Sequence, residues 1–163
     1  MKKKNIFAKG LTLIELLVVV AIIAILVSVV LTFLGGAKNK GTDAGVKTNL
    51  HTVVSQAELF FINNNSYLPT GGTNVAGVCP TYGDGTVNMF SQDKTMADAM
   101  IQAINNGNGS YCYNSADAWA VAVGLNSGTS LNPLSWCVDN SGASSQVSFL
   151  PENAVDEATF LCK

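Results

Sequence analysis

The sequence predicts an α+β protein: one long N-terminal helix packed on a small antiparallel sheet. Three observations carry this. An unbroken apolar run, Leu11–Leu34, follows a basic start. An amphipathic stretch then repeats apolar residues at helical spacing. Beyond it, short apolar runs alternate with Asn, Ser and Gly turn clusters, the pattern of strands.

The first ten residues, MKKKNIFAKG, hold four of the nine lysines and no apolar run of their own. The 24 residues from Leu11 to Leu34 would rise about 36 Å as a helix, enough for a hydrocarbon core of about 30 Å. Lysines ahead of such a span hold that end in the cytoplasm and send the remainder outward. Gly35-Gly36 marks a stop or bend. A secretory signal cut near Ala37 competes with this reading, but its apolar core is ordinarily about 7–15 residues long and free of acids. Here Glu15 lies five residues into the run. An acid at membrane depth is expensive and needs a partner. Cleavage after Gly10 would create one, a free amine on Leu11, so that a staggered neighbour's terminus pairs with Glu15 and sets the register of assembly.

In the next segment Val46, Leu50, Val53, Val54, Ala57, Phe60 and Phe61 form an apolar stripe, predicting helix to about Asn63 and its Asn cluster. Gly41 and Gly45 weaken this helix by about 1 kcal/mol each relative to Ala. Ser66–Asn88 reads as a loop, and Ser91–Asn106 as a short helix with Met96, Met100, Ile101, Ala103 and Ile104 on its apolar side. Strands are expected at Ala118–Leu125, where large and small apolar residues alternate so that one face packs on the helix, at Ser135–Asp139 and at Gln146–Leu150. A short tail ends the chain.

Charge and composition exclude several function classes. Without the first ten residues five lysines face eleven acids, a formal charge of −6, so no bulk basic surface is left for nucleic acid. Cys79, Cys112, Cys137 and Cys162 all follow the apolar run; an even count in a small exported domain favours two disulfides, and three pairings are open. No CxxC occurs, and the lone His51 lies far from any cysteine, so no metal site is expected. G-x-S-x-G, HExxH and the Walker A loop are absent, which argues against an enzyme and against a cofactor. Asp84-Gly85 and Asp139-Asn140 have calcium-loop chemistry but read as turns, since calcium takes six to eight oxygens.

Residues Lys9-Gly10-Leu11-Thr12-Leu13-Ile14-Glu15-Leu16 resemble the prepilin signal of type IV pilins and type II secretion pseudopilins. The resemblance implies cleavage between Gly10 and Leu11 by a prepilin peptidase, N-methylation of Leu11, and an assembly role for Glu15. Leu11 replaces the commoner Phe, and Thr32 stands where many pilins kink the helix with proline. The pattern CYNS…WAVAV…WCVDNSG also resembles the heads of pilin-like proteins from uncultured bacteria. By the same analogy the disulfides are Cys137–Cys162 and Cys79–Cys112.

The implied organisation is a leader over residues 1–10, a membrane or filament-core helix over 11–34, an amphipathic outer half over 35–63 and a disulfide-bonded head over 64–163. The implied protein is a structural subunit of a type IV pilus-like or type II secretion filament. Its partners would be further copies, minor pilins, the peptidase, a membrane platform with its assembly ATPase, and the bilayer before assembly. It would sit in the cytoplasmic membrane with its N-terminus inside and its head exported, then enter an extracellular or periplasmic filament. The alternative is a membrane-anchored binding module that never polymerises.

Overall fold

In a computed structural model, residues 12–156 and 158–163 are described. They form a pilin-like α+β architecture, a long N-terminal helix with a five-stranded antiparallel sheet. The chain divides into two compact units, the first ending at Ala37 and the second comprising Lys38–Lys163.

Helix α1 spans Leu13–Asn64. Gly35-Gly36 does not stop it: both residues are helical, and open space surrounds them, so nothing but the helix's own hydrogen bonds engages that stretch. In the second unit the stripe Val46, Leu50, Val53 and Ala57 is buried, and Phe60 and Phe61 are half-buried against the same core.

The sheet runs in sequence order: β1 (Val75–Gly77), β2 (Ser110–Asn114), β3 (Trp119–Gly124), β4 (Ser135–Asp139) and β5 (Ser144–Val147). Every neighbouring pair is antiparallel, with Val121 opposite Cys112 on one side and Val138 on the other. Strand β3 is buried on both faces. Trp119, Val121 and Val123 join the α1-side core. Ala120 and Ala122 pack instead with Tyr113, Cys137, Val147, Ala154 and Val155 under the C-terminal segment. The alternation of large and small residues thus separates a thick core from a thin one: one face packs on the helix as expected, and the other is covered as well. Gly124 ends β3 where a Cβ would fall 1.9 Å from the Asn108 carbonyl oxygen, so only glycine fits this crossing.

Four further expectations shift. The helix expected over Ser91–Asn106 is two, α2 (Met89–Gln92) and α3 (Lys94–Asn106), because Asp93 ends the first and caps the second through its carboxylate to the Met96 amide at 2.7 Å. The segment read as loop, Ser66–Asn88, contains β1. The third expected strand ends at Val147 rather than Leu150, since Pro151 opens a short helix, α4 (Pro151–Ala154), inside what was read as a tail. Strand β2, unassigned from sequence, lies at the N-terminal side of β3.

The structure pairs Cys79 with Cys112 and Cys137 with Cys162. The first ties the segment after β1 to β2. The second ties the C-terminal segment to β4, where the Cys162 amide also donates to Asp139 Oδ2 at 2.8 Å and Phe160 stacks on Tyr113 with centroids 3.9 Å apart.

Candidate assembly segment

The chemistry of the first unit is that of an apolar helix with one acid. Its most apolar 18-residue window has a mean hydropathy of 3.3 and is wholly unburied by the rest of the chain. Large side chains from Leu13 to Leu34 are 48–81% exposed. A helix apolar on every side cannot remain in water and must be covered by lipid or by other helices. Its hydroxyls suit that environment: Ser28 donates to the Ala24 carbonyl and Thr32 to the Val29 carbonyl, both at 2.7 Å. No hydroxyl hydrogen is then left unpaired in hydrocarbon.

Glu15 sits in the first turn of α1. The Thr12 amide and hydroxyl both donate to its Oε2, at 2.8 and 2.7 Å, and the Glu15 amide donates back to the Thr12 hydroxyl oxygen at 3.3 Å. This is a reciprocal capping box: T-x-x-E satisfies amides that the helix start leaves unpaired, and the carboxylate lies at the positive end of the helix dipole. Both bonds fall on Oε2, which leaves Oε1 without a hydrogen bond among the described residues. Thr12 was not singled out from sequence, although the T-x-x-E spacing is its signal. Gly10 and Leu11, the expected cleavage and methylation positions, lie outside the described residues.

The second unit holds a polar node that sequence reading missed. Asp43 is 6% exposed, and its two carboxylate oxygens accept the backbone amides of Asn126 and Ser127 at 2.7 and 3.1 Å. The Asn126 side chain in turn donates to Thr42 and to the Asn106 carbonyl. Asp43 precedes Val46 by three residues, so the stripe's own spacing places it on the buried face. A carboxylate among apolar neighbours there implies donors in the facing turn.

His51 is exposed on α1. The carboxylates weighed for calcium are engaged by hydrogen bonds, Asp84 within its own turn and Asp139 by its turn and the C-terminal segment. Asp84 accepts from Thr81 and Thr86, Asp139 from Ser141 and Cys162. Hydrogen bonds from Thr86 hold the Asp84 carboxyl below its ordinary pKa.

An unburied apolar helix opening on an acid, continuous with a disulfide-bonded antiparallel head, defines the pilin-like class. The sequence profile of the prokaryotic N-terminal methylation motif matches residues 7–31. The type IV wide pilus major component PilA4 of Thermus thermophilus is 48% identical over 60 residues, which cover 37% of this chain and 46% of that protein. The chain thus spans less than half the length of the curated relative it matches. No solved structure matches significantly. These similarities support kinship with type IV pilins, and each covers less than half of this chain. Its methylation motif and apolar helix fit membrane anchoring.

Proposed function

We propose that the chain is a filament subunit made as a prepilin. A prepilin peptidase cuts between Gly10 and Leu11, and Leu11 is N-methylated. The helix first spans the cytoplasmic membrane with the head exported. Extraction by a platform protein and its ATPase then moves the helix from lipid into a filament core. The relative's identity as a pilus component favours a pilus over a secretion filament.

The observation that carries the reading is the combination of a fully exposed apolar helix with Glu15 as its one acid. Leu11 and Glu15 are four residues apart, a rise of about 6 Å, so a parallel neighbour displaced by roughly one turn presents its amine at the depth of Glu15. The unbonded Oε1 is the acceptor for it. In a low-dielectric core such a pair is strong and an unpaired charge is costly, so correct register is favoured over every other.

Mass spectrometry of the mature chain tests the maturation. A Leu11 terminus one methyl group heavier than the plain chain is expected, and a terminus at Lys38 would overturn the reading. Replacing Glu15 with Ala is expected to leave processing intact and abolish filaments. Normal filaments from that variant would remove the pairing role.

A further inference from the structure

The second unit is polarised in charge along α1. Lys38 and Lys40 lie in its first turn, beside the node joining Asn39 and Asp43 to Asn126. Both are exposed, and neither has a hydrogen bond or ion pair among the described residues, where the only salt bridge is Lys94–Asp98. Lys47, two turns on, is engaged on its own unit, with its ammonium 4.4 Å from the Trp136 ring centroid. At the other end are Glu58 and Asp117. Tyr67 joins them: its hydroxyl donates to Glu58 Oε1 at 3.1 Å, and its amide donates to the carbonyl of Ala116, next to Asp117. The Asp117 carboxylate has no partner among the described residues, and Glu58 keeps one oxygen free.

Twenty residues separate Lys38 from Glu58, about 30 Å of helix. That is several times the Debye length of about 8 Å in physiological salt, so the two ends do not neutralise each other within one chain. Glu152 stands near the basic end, on α4, but it belongs with the sheet face opposite α1. The α1 side of that end therefore exposes two ammonium groups, while the Asp43 carboxylate at the same end is buried and held by backbone amides.

We infer that the Lys38–Lys40 end of one copy docks on the Glu58–Asp117 end of a copy farther along the same filament, a different neighbour from the one whose amine meets Glu15. This rests on the filament reading. Parallel copies shifted along a common axis by about the length of the helix segment Lys38–Glu58 bring these two ends together. The contact is heterologous, one end against the other, and it propagates along an open filament rather than closing a ring. Opposite charge selects the head-to-tail order, and like charge rejects the reverse. Anionic lipid headgroups are the competing partner for Lys38 and Lys40, and the test separates the two.

The test uses the full-length chain in cells, reading sheared filament yield and the membrane pool of unassembled subunit. K38E/K40E and E58K/D117K are each expected to cut filament yield at least about tenfold, because each sets like charge against like. Their membrane pools should match wild type. Joining all four changes restores opposite charges and is expected to restore filaments. Because Glu58 holds Tyr67, D117K alone serves as a milder arm, expected to lower yield in the same direction and to be rescued by K38E/K40E. Wild-type yield from every charge variant would overturn the inference. So would failure of the combined variant to exceed the doubles. A loss of K38E/K40E from the membrane pool, with no rescue, would assign the lysines to lipid. Absence of filaments from the wild-type chain would sink the filament reading itself, and this contact with it.

Discussion

Single side chains decide how the head is held to α1, and Asp43 is the clearest case. It is a buried carboxylate with no cation bonded to it; two backbone amides of the β3–β4 turn satisfy it instead. Removing it leaves those amides without acceptors. An unsatisfied buried donor costs about 1–3 kcal/mol. Asp43→Ala is therefore expected to lower the head's melting temperature in detergent by several degrees, with Asp43→Asn milder because its amide oxygen still accepts one bond. Equal melting of Asp43→Ala and wild type would show that the node adds nothing. Thr12 acts at the same scale in the other unit. Thr12→Val removes the hydroxyl from the capping box but keeps the amide bond to Glu15, so it should weaken the helix start by about 1 kcal/mol. Amide exchange in the first turn of α1 should then quicken while the rest of the helix is unchanged.

Elements differ in how much of their existence is written locally. Helix α1 was legible because its apolar run and its buried stripe are long and periodic; Val46, Leu50, Val53 and Ala57 are all fully buried as the spacing demands. Leu50→Ala at the centre of that stripe is expected to cost about 2–5 kcal/mol, read as a fall in the denaturant midpoint of the head. Strands β3 and β4 were legible from WAVAVG and SWCVD. Strand β1 was not: three residues, Val-Ala-Gly, have no period, and they are a strand because Asn114, Tyr113 and Cys112 lie opposite. The covering of Ala120 and Ala122 was equally invisible, since a small residue facing away from α1 reads as solvent-facing until the C-terminal segment is placed over it. At the assembly segment Glu15 stood out by chemistry, whereas Thr12 and Asp43 needed spacing to be combined with a partner. The Cys137–Cys162 bond closes that covering segment, so changing both cysteines to Ser is expected to destabilise the head by about 2–5 kcal/mol. Limited proteolysis should then cut within Pro151–Lys163 first; cleavage beginning elsewhere would mean that the segment is held by packing alone.

At the scale of the whole molecule the two units should answer pH differently. The apolar helix has internal backbone bonds and a single acid, whereas the head sets several titrating groups into its turns and core. Hydrogen bonds from the Thr86 side chain and amide hold Asp84 below the ordinary carboxylate range, and the amides of Thr159 and Ala158 do the same for Asp156. A carboxyl whose folded pKa is depressed stabilises the fold above its unfolded value, about 3.9 for Asp, and that stability is lost as pH falls through the folded value. Tyr67 has the opposite sense. Burial first, and then the Glu58 charge, raise its hydroxyl above the ordinary value. The neutral phenol is thus favoured in the fold, and its contribution persists below about pH 10 and fades above it. Head melting, followed by tryptophan fluorescence in detergent, is therefore expected to be level between about pH 5 and 9 and to fall on both sides. Far-UV helicity from α1 should outlast the head at each extreme. The acid limb should flatten in Asp84→Asn/Asp156→Asn, and the alkaline limb in Tyr67→Phe. Because Asp84 is exposed and Asp156 only half-buried, their contribution is screened and the change in the acid limb is modest. An acid midpoint unchanged in the double variant would show that these two carboxylates do not set the low-pH transition.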